Sequence, residues 1–231
     1  MRLLPAGEAA LLLELEPAEV LPLAEAVRAQ RHRGITDIVP AERTVLVRFD
    51  PRVVGSVEIG EWLDSVRPLA SGSAAEPALE LPVHYDGADL AEVARLTGLT
   101  PAGVIAAHTD QEWLVVFCGF VPGFGYLRPA KEAAGEGQAG GKSTGAAGGE
   151  SENEAGGDLL RVPRRAEPRV RVPAGAVALA AGYTGVYPRA SPGGWHLIGR
   201  TTVPVWDAER DPPALLRPGT RVRFRDESCL R

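Results

Sequence analysis

The chain has 231 residues, 45% of them hydrophobic and 24% charged, which suits one large globular domain or two small ones. Its two cysteines, Cys118 and Cys229, form no CxxC pair, and its four histidines show no ligand spacing, which argues against a stapled secreted domain and against a zinc or histidine metal site. The formal charge of −5 is concentrated in one acidic stretch, so the remainder is nearly neutral and gives no basic field for nucleic acid.

From the N-terminus, residues 9–15 read as a strand whose apolar run Leu11-Leu12-Leu13 is hemmed in by Glu8 and Glu14. That run is too short for a signal peptide, and none approaches the roughly 20 residues of a membrane span. A cytoplasmic protein with no membrane partner is expected. Residues 20–30 read as a helix with Pro22 near its start, and 35–39 and 44–49 as strands, the second placing Val45, Val47 and Phe49 on one side. Within 56–66, Val57, Trp62, Leu63 and Val66 stand at helical spacing. Strand, helix, two strands and helix predict an α+β fold: a small split, ferredoxin-like α/β domain over residues 1–76. Residues 70–77 read as a linker.

A second domain is predicted over 79–231. It opens with a strand at 79–83 and helices at 89–97 and 100–108, with Asp89 and Thr100 as N-caps and Pro101 in the first turn. The helix pair has the outline of a DNA reader. Its second helix, however, carries no Lys or Arg for phosphates, so it is read as structural. Short β-type runs follow between Pro-Gly turns, at 113–118, 170–172, 177–180, 195–198, 203–206 and 221–224, as in a barrel or sandwich. Between Leu127 and Leu159 there is no Leu, Ile, Val, Phe, Tyr or Trp, so about 130–158 is read as a disordered or loosely ordered Gly-rich insertion. It carries most of the negative charge. Its Gly140-Gly141-Lys142-Ser143-Thr144 fails the phosphate-loop motif because Glu136 stands where glycine is required.

Three clusters carry the chemistry. Phe117 to Leu127 sets Phe120, Phe124 and Tyr126 on a backbone shaped by Gly119, Pro122, Gly123 and Gly125. It reads either as a loop that lets a ligand reach the main chain between aromatic walls, or as a strand bend whose rings fill a core. Arg161 to Gly175 holds five arginines against one glutamate on a proline-stiffened backbone. Those guanidinium groups suit a carboxylate or phosphate, or form a solvated basic loop or a contact between subunits. In 182–201, Thr184, Tyr187, Ser191, Arg200 and Thr201 offer hydroxyls and a cation, with Ser191-Pro192-Gly193-Gly194 read as a type II turn. His196 reads as an ordinary strand residue or as a base. A metal site built from carboxylates alone is left open.

Gly119-Phe120-Val121-Pro122-Gly123-Phe124-Gly125-Tyr126-Leu127, then Pro163-Arg164-Arg165 through Pro168-Arg169 and Val172-Pro173-Ala174-Gly175, then Ser191-Pro192-Gly193-Gly194-Trp195 and Ile198-Gly199-Arg200-Thr201 resemble the ordered blocks of the KipI family. That family includes the B subunit of 5-oxoprolinase and is also called allophanate hydrolase subunit 1. Pro218 to Phe224 is similar to its closing strand. Ala176, Tyr183 and Thr202-Val203 depart from its usual residues, and Tyr183 bears on a pocket contact.

The resemblance implies a small α/β domain followed by a cyclophilin-like β-barrel. It also implies one component of an ATP-dependent 5-oxoprolinase, inactive alone, that opens 5-oxoproline to L-glutamate together with A-like and C-like 5-oxoprolinase partners. For that chemistry, Arg164, Arg169 and Arg200 are the expected cations beside the substrate carboxylate and the developing phosphate, with His108 as a catalytic polar partner. Phe120, Pro122, Gly123, Thr184, Tyr187, Ser191 and Thr201 are the expected substrate contacts. ATP is expected in the complex, handled elsewhere or at a shared interface. Two alternatives stand beside this reading: an inhibitor of a sensor histidine kinase, and a urea or allophanate amidolyase component.

Overall fold

The computed structural model describes residues 1–30, 32–68, 77–133 and 158–227. The linker read at 70–77 (save Pro77), nearly all of the Gly-rich insertion with its Gly140 to Thr144 run, and Cys229 lie outside the described residues.

The N-terminal part builds strands β1 (Arg2–Pro5), β2 (Ala10–Glu14), β3 (Ile35–Pro40) and β4 (Thr44–Phe49) and helices α1 (Pro17–Gln30) and α2 (Ser56–Ser65). Helix α1 begins earlier than expected. Pro17 takes the first position, where a missing N–H costs nothing, and the Glu19 carboxylate reaches back to the Glu16 N–H at 3.3 Å. Val20, Leu23, Ala24 and Val27 then recur on one buried face. That face covers the inner side of β4, where Val45, Val47 and Phe49 are buried; Ile59 and Leu63 of α2 complete the core. Val57, expected on that face, is exposed.

The sheet runs β1-β2-β4-β3, antiparallel throughout. This differs from the ferredoxin-like arrangement expected, in which a strand after the second helix closes the sheet. Here the edge beside β2 is taken by β1, a strand that Arg2 and Pro5 disguise in the sequence, and an Arg2–Glu14 ion pair at 3.3 Å joins its end to β2.

The second part contains β5 (Leu79–Val83), α3 (Leu90–Thr97), α4 (Pro101–Thr109), β6 (Trp113–Cys118), β7 (Gly125–Pro129), the short α5 (Ala130–Ala133), β8 (Arg169–Val172), β9 (Ala176–Ala180), β10 (Tyr183–Val186), β11 (Ser191–Gly193), β12 (His196–Arg200) and β13 (Arg221–Asp226). Seven of these strands form one sheet in the order β12-β9-β10-β7-β6-β13-β5. Its two ends meet: His84, just after β5, exchanges two backbone hydrogen bonds of 2.8 Å with Arg200 of β12. The sheet is thereby nearly closed into a barrel. Glycine is required at this seam, because a Cβ on Gly199 would lie 2.5 Å from the His84 carbonyl oxygen, and one on Gly87 2.3 Å from that of Leu197.

Leu81, Val83, Trp113, Val115, Leu127, Val177, Leu179, Ile198 and Phe224 fill the interior, each contributing about 1.5–3 kcal/mol of burial. Helices α3 and α4 pack over the barrel. Thr100 caps α4 by accepting from the Gly103 N–H at 3.0 Å, with Pro101 in the first turn. Two expectations are corrected. Residues 203–206 form no strand, only a Trp206–Ala214 bridge, since Pro204 has no N–H to give a ladder. Ser191 to Gly193, read as a turn, is strand β11, pairing with β8 across a bulge in a small separate ribbon.

Candidate functional site

The segment linking β6 to β7 makes a three-residue turn. Val121 N–H donates to the Gly119 carbonyl at 2.7 Å, and the residue between them, Phe120, has φ +65°. A bulky side chain in the left-handed region is strained, and this one is 57% exposed. Its ring sits edge-on to Phe124 (5.6 Å) and Tyr187 (6.3 Å), the exposed end of an aromatic cluster that continues through Tyr126 and Trp195. Phe117 stacks on Tyr126 at 4.4 Å. Pro122 is exposed on the turn, and Gly123 has φ +83° with no room for a Cβ, which would stand 2.7 Å from Trp206.

Tyr187 is buried just after β10 with its hydroxyl against Gly193 at the end of β11. A Cβ on Gly193 would lie 2.3 Å from that oxygen, so this glycine makes room for the phenol. Burial raises the phenol pKa of both Tyr187 and Tyr126, and the nearby Arg164 charge opposes the rise in each. Arg164 is exposed and makes no ion pair or hydrogen bond with another described residue. Arg164 thus sits on the arm where the Arg165 N–H donates to the Gly194 carbonyl at 2.8 Å, next to the Gly193 that covers the Tyr187 phenol, and its charge acts on both phenols.

Two neighbouring arginines of the arm, Arg165 and Arg169, are engaged by one carboxylate. Asp89 is buried, and its carboxylate accepts four hydrogen bonds: Arg165 Nη1 (2.7 Å) and Arg169 Nη2 (2.8 Å) on Oδ1, Arg169 Nη1 (2.8 Å) and the Leu197 N–H (2.7 Å) on Oδ2. Burial works to raise the pKa of this carboxyl. The Arg169 hydrogen bonds, the Leu197 N–H and the two guanidinium charges outweigh burial and hold it below its ordinary value. Asp89 stands where an N-cap of α3 would, yet its side chain makes no capping bond. The sequence signal, an acidic residue before a helix, located the residue but not its use.

His108 lies at the barrel interior, fully buried. Thr184 Oγ1 donates to the Ala178 carbonyl at 3.3 Å, so it accepts from His108 Nε2–H at 2.9 Å, which leaves Nδ1 to accept from the Tyr85 hydroxyl at 2.7 Å. Burial drives the imidazole down to about 3, so it stays neutral. Arg200 is at the barrel seam, exposed, with Nε 2.8 Å from Asp86 Oδ2. Thr201 is buried and its Oγ1 accepts from the Val203 N–H at 3.2 Å. Ser191 is buried with its hydroxyl unpartnered, as are both ring nitrogens of buried His196.

The structure thus brings Phe120 and Tyr187 together beside the arm that carries Arg164, with Gly123 shaping the turn. It holds Arg169 against Asp89, places His108 and Thr184 in an interior network, and sets Arg200 at the seam. Sequence reading named Asp89 only as an N-cap and Tyr126 only as a ring of the bend, and it missed Tyr85. Tyr183, the departure noted in the sequence, is buried with its ring edge-on to Phe117 and Tyr126, and it lines a cleft with Glu42 of the N-terminal domain. Among the described residues, no three His, Cys, Asp or Glu side chains converge as metal ligands, and no helix is long and apolar enough to cross a membrane.

The family described as carboxyltransferase domain, subdomain C and D, matches residues 1–135 and 146–216. The chain is 38% identical over 230 residues to the 5-oxoprolinase B subunit of Escherichia coli O157:H7, covering 94% of this chain and 92% of that one. It is 39% identical over 213 residues to the 5-oxoprolinase B subunit of Bacillus subtilis strain 168, covering 86% and 78%. The solved structure of TTHA0988 superposes with a TM-score of 0.72 at 35% identity over 94% of this chain, which spans 40% of that longer one. The urea amidolyase of Kluyveromyces lactis shares the fold alone, with a TM-score of 0.67 at 16% identity over 97% of this chain and 14% of that one. With this family matched over most of its length and two relatives close to 40% identical, the chain belongs to the carboxyltransferase C and D subdomain family, in the KipI branch that holds the 5-oxoprolinase B subunits.

Proposed function

We propose that this chain is the B subunit of a cytoplasmic, ATP-dependent 5-oxoprolinase, inactive alone, that opens 5-oxoproline to L-glutamate with A-like and C-like partner proteins, and that its nearly closed barrel is cyclophilin-like. The observation that carries this reading is the 38% identity to a 5-oxoprolinase B subunit along 94% of the chain. The site geometry supports it. 5-Oxoproline is a five-membered lactam with one carboxylate, and Arg164, unpaired among the described residues, is a cation whose charge acts on the Tyr126 and Tyr187 phenols. Phe120 supplies an apolar face for the ring methylenes, and the Arg164 guanidinium a charge-assisted pair for the carboxylate. Arg169 and Arg200, each paired with an aspartate, act in this reading by fixing the walls.

The net reaction adds water across the lactam C–N bond while ATP gives ADP and phosphate. The described residues fit the lactam better than the nucleotide, since they include no glycine-rich turn running into a helix that would cradle a triphosphate. ATP handling is therefore assigned to the partner proteins or their interface with this chain.

Mixing the purified chain with the A-like and C-like proteins, 5-oxoproline and ATP tests the reading. Glutamate and ADP are expected to form in equal amounts only when all three are present. No turnover by the complete mixture, or full turnover without this chain, overturns it.

A further inference from the structure

We infer that Asp89 is a positioning residue for the reaction: a buried carboxylate that locks the proline-stiffened arm so that Arg164 is presented to the substrate carboxylate. The inference rests on the reading above and deepens it. Arg164 itself has no hydrogen-bond or ion-pair partner among the described residues, so something else must fix where it points.

The arm is held on both sides of it. Buried Val162 accepts the Ala181 N–H at 2.6 Å, and the Arg165 N–H donates to the Gly194 carbonyl at 2.8 Å. Those backbone bonds fix the path of the chain. The side chains of Arg165 and Arg169 then converge on the one Asp89 carboxylate at 2.7–2.8 Å, and the same carboxylate takes the Leu197 N–H of β12. Three segments distant in sequence meet at two oxygen atoms: the start of α3, the arm, and the strand that closes the barrel. Neutralising Arg165 and Arg169 has a second consequence. It leaves Arg164, unpaired among the described residues, on the arm beside the Gly193 and Gly194 backbone that covers Tyr187, so an anion entering there meets its guanidinium without competition from Arg165 and Arg169.

A group that only orders the binding cation changes substrate affinity more than the chemical step. Asp89→Asn keeps the shape and removes the charge. In the reconstituted complex it is expected to raise KM for 5-oxoproline by about tenfold with kcat changed less than about threefold. Arg165→Gln, which leaves Arg169 on Asp89 and so preserves the fold, is expected to do the same more weakly. The decisive comparison is with Arg164→Gln: if Asp89 acts through Arg164, the double variant has the KM of Arg164→Gln alone, whereas independent roles multiply. A general loss of packing would not produce that non-additivity.

The isolated chain gives a readout free of turnover. The Arg164 Nε–H signal, followed by 15N relaxation, is expected to be ordered in the wild type and mobile in Asp89→Asn and Arg165→Gln. Multiplicative KM effects, or an Arg164 side chain equally ordered in all three proteins, overturns the inference. Absence of 5-oxoproline turnover in the wild-type complex overturns the functional reading instead, and the relaxation result still decides whether Asp89 orders Arg164.

Discussion

His108 is a base by residue type and a neutral strut by environment. It makes two side-chain hydrogen bonds inside the barrel, to Tyr85 and Thr184, and burial depresses its pKa to about 3. In the unfolded chain the same imidazole titrates near 6.5, so protons bind the unfolded state first. The stability it confers is complete above about pH 6.5 and is lost as pH falls towards about 3, at up to about 1.4 kcal/mol per pH unit. Urea unfolding at pH 7, 5.5 and 4.5 should show that slope, and His108→Gln should flatten it; an unchanged slope would place the acid sensitivity elsewhere. Asp89, its pKa held low, adds stability that is present above about pH 3.9 and disappears as pH falls through its lower folded value, a window below most of the histidine's.

Among the elements, the bend between β6 and β7 concentrates the strain. Phe120 holds φ +65° in solvent, so replacing it by glycine removes backbone strain and an exposed ring together. Phe120→Gly is expected to stabilise the isolated chain, or leave it unchanged within about 1 kcal/mol, while raising KM in the complex. A clear loss of stability would show that the ring serves packing and not the site. Gly123→Ala should do the reverse, costing about 2 kcal/mol or more, because φ +83° disfavours a side chain and the added carbon meets Trp206; thermal unfolding measures both.

The elements also show what a sequence can and cannot convey. Val20, Leu23, Ala24 and Val27 on α1, and Val45, Val47 and Phe49 on β4, carry periods of 3.6 and 2 because one face meets a core and the other water. Strand β10 is buried on both faces and has no such alternation, and β11 contains a proline between two turn-forming residues, so neither was legible. The aromatic bend and the arginine arm were visible as unusual compositions. That Arg165 and Arg169 are engaged was not, because both bind Asp89, a residue 76 and 80 positions away.

At the scale of the whole molecule, two cores meet at a cleft lined by Tyr183 and Arg128 of the barrel and by Pro17, Leu21 and Glu42 of the N-terminal domain. The Tyr183 ring also backs Phe117 and Tyr126, so the domain contact and the site share a wall. Beside that wall, Arg164 and Phe120 are open to solvent in the isolated chain, which fits a site completed by another polypeptide. The central claim is that this surface selects its substrate by carboxylate. Its most direct test is the ratio of kcat/KM for 5-oxoproline to that for 2-pyrrolidinone, the same lactam without the carboxylate, in the reconstituted wild-type and Arg164→Gln complexes. The ratio is expected to be large in the wild type and to fall by about tenfold or more in the variant, through loss of activity on 5-oxoproline alone. An equal ratio in both complexes would contradict the assignment of Arg164 and, with it, the site.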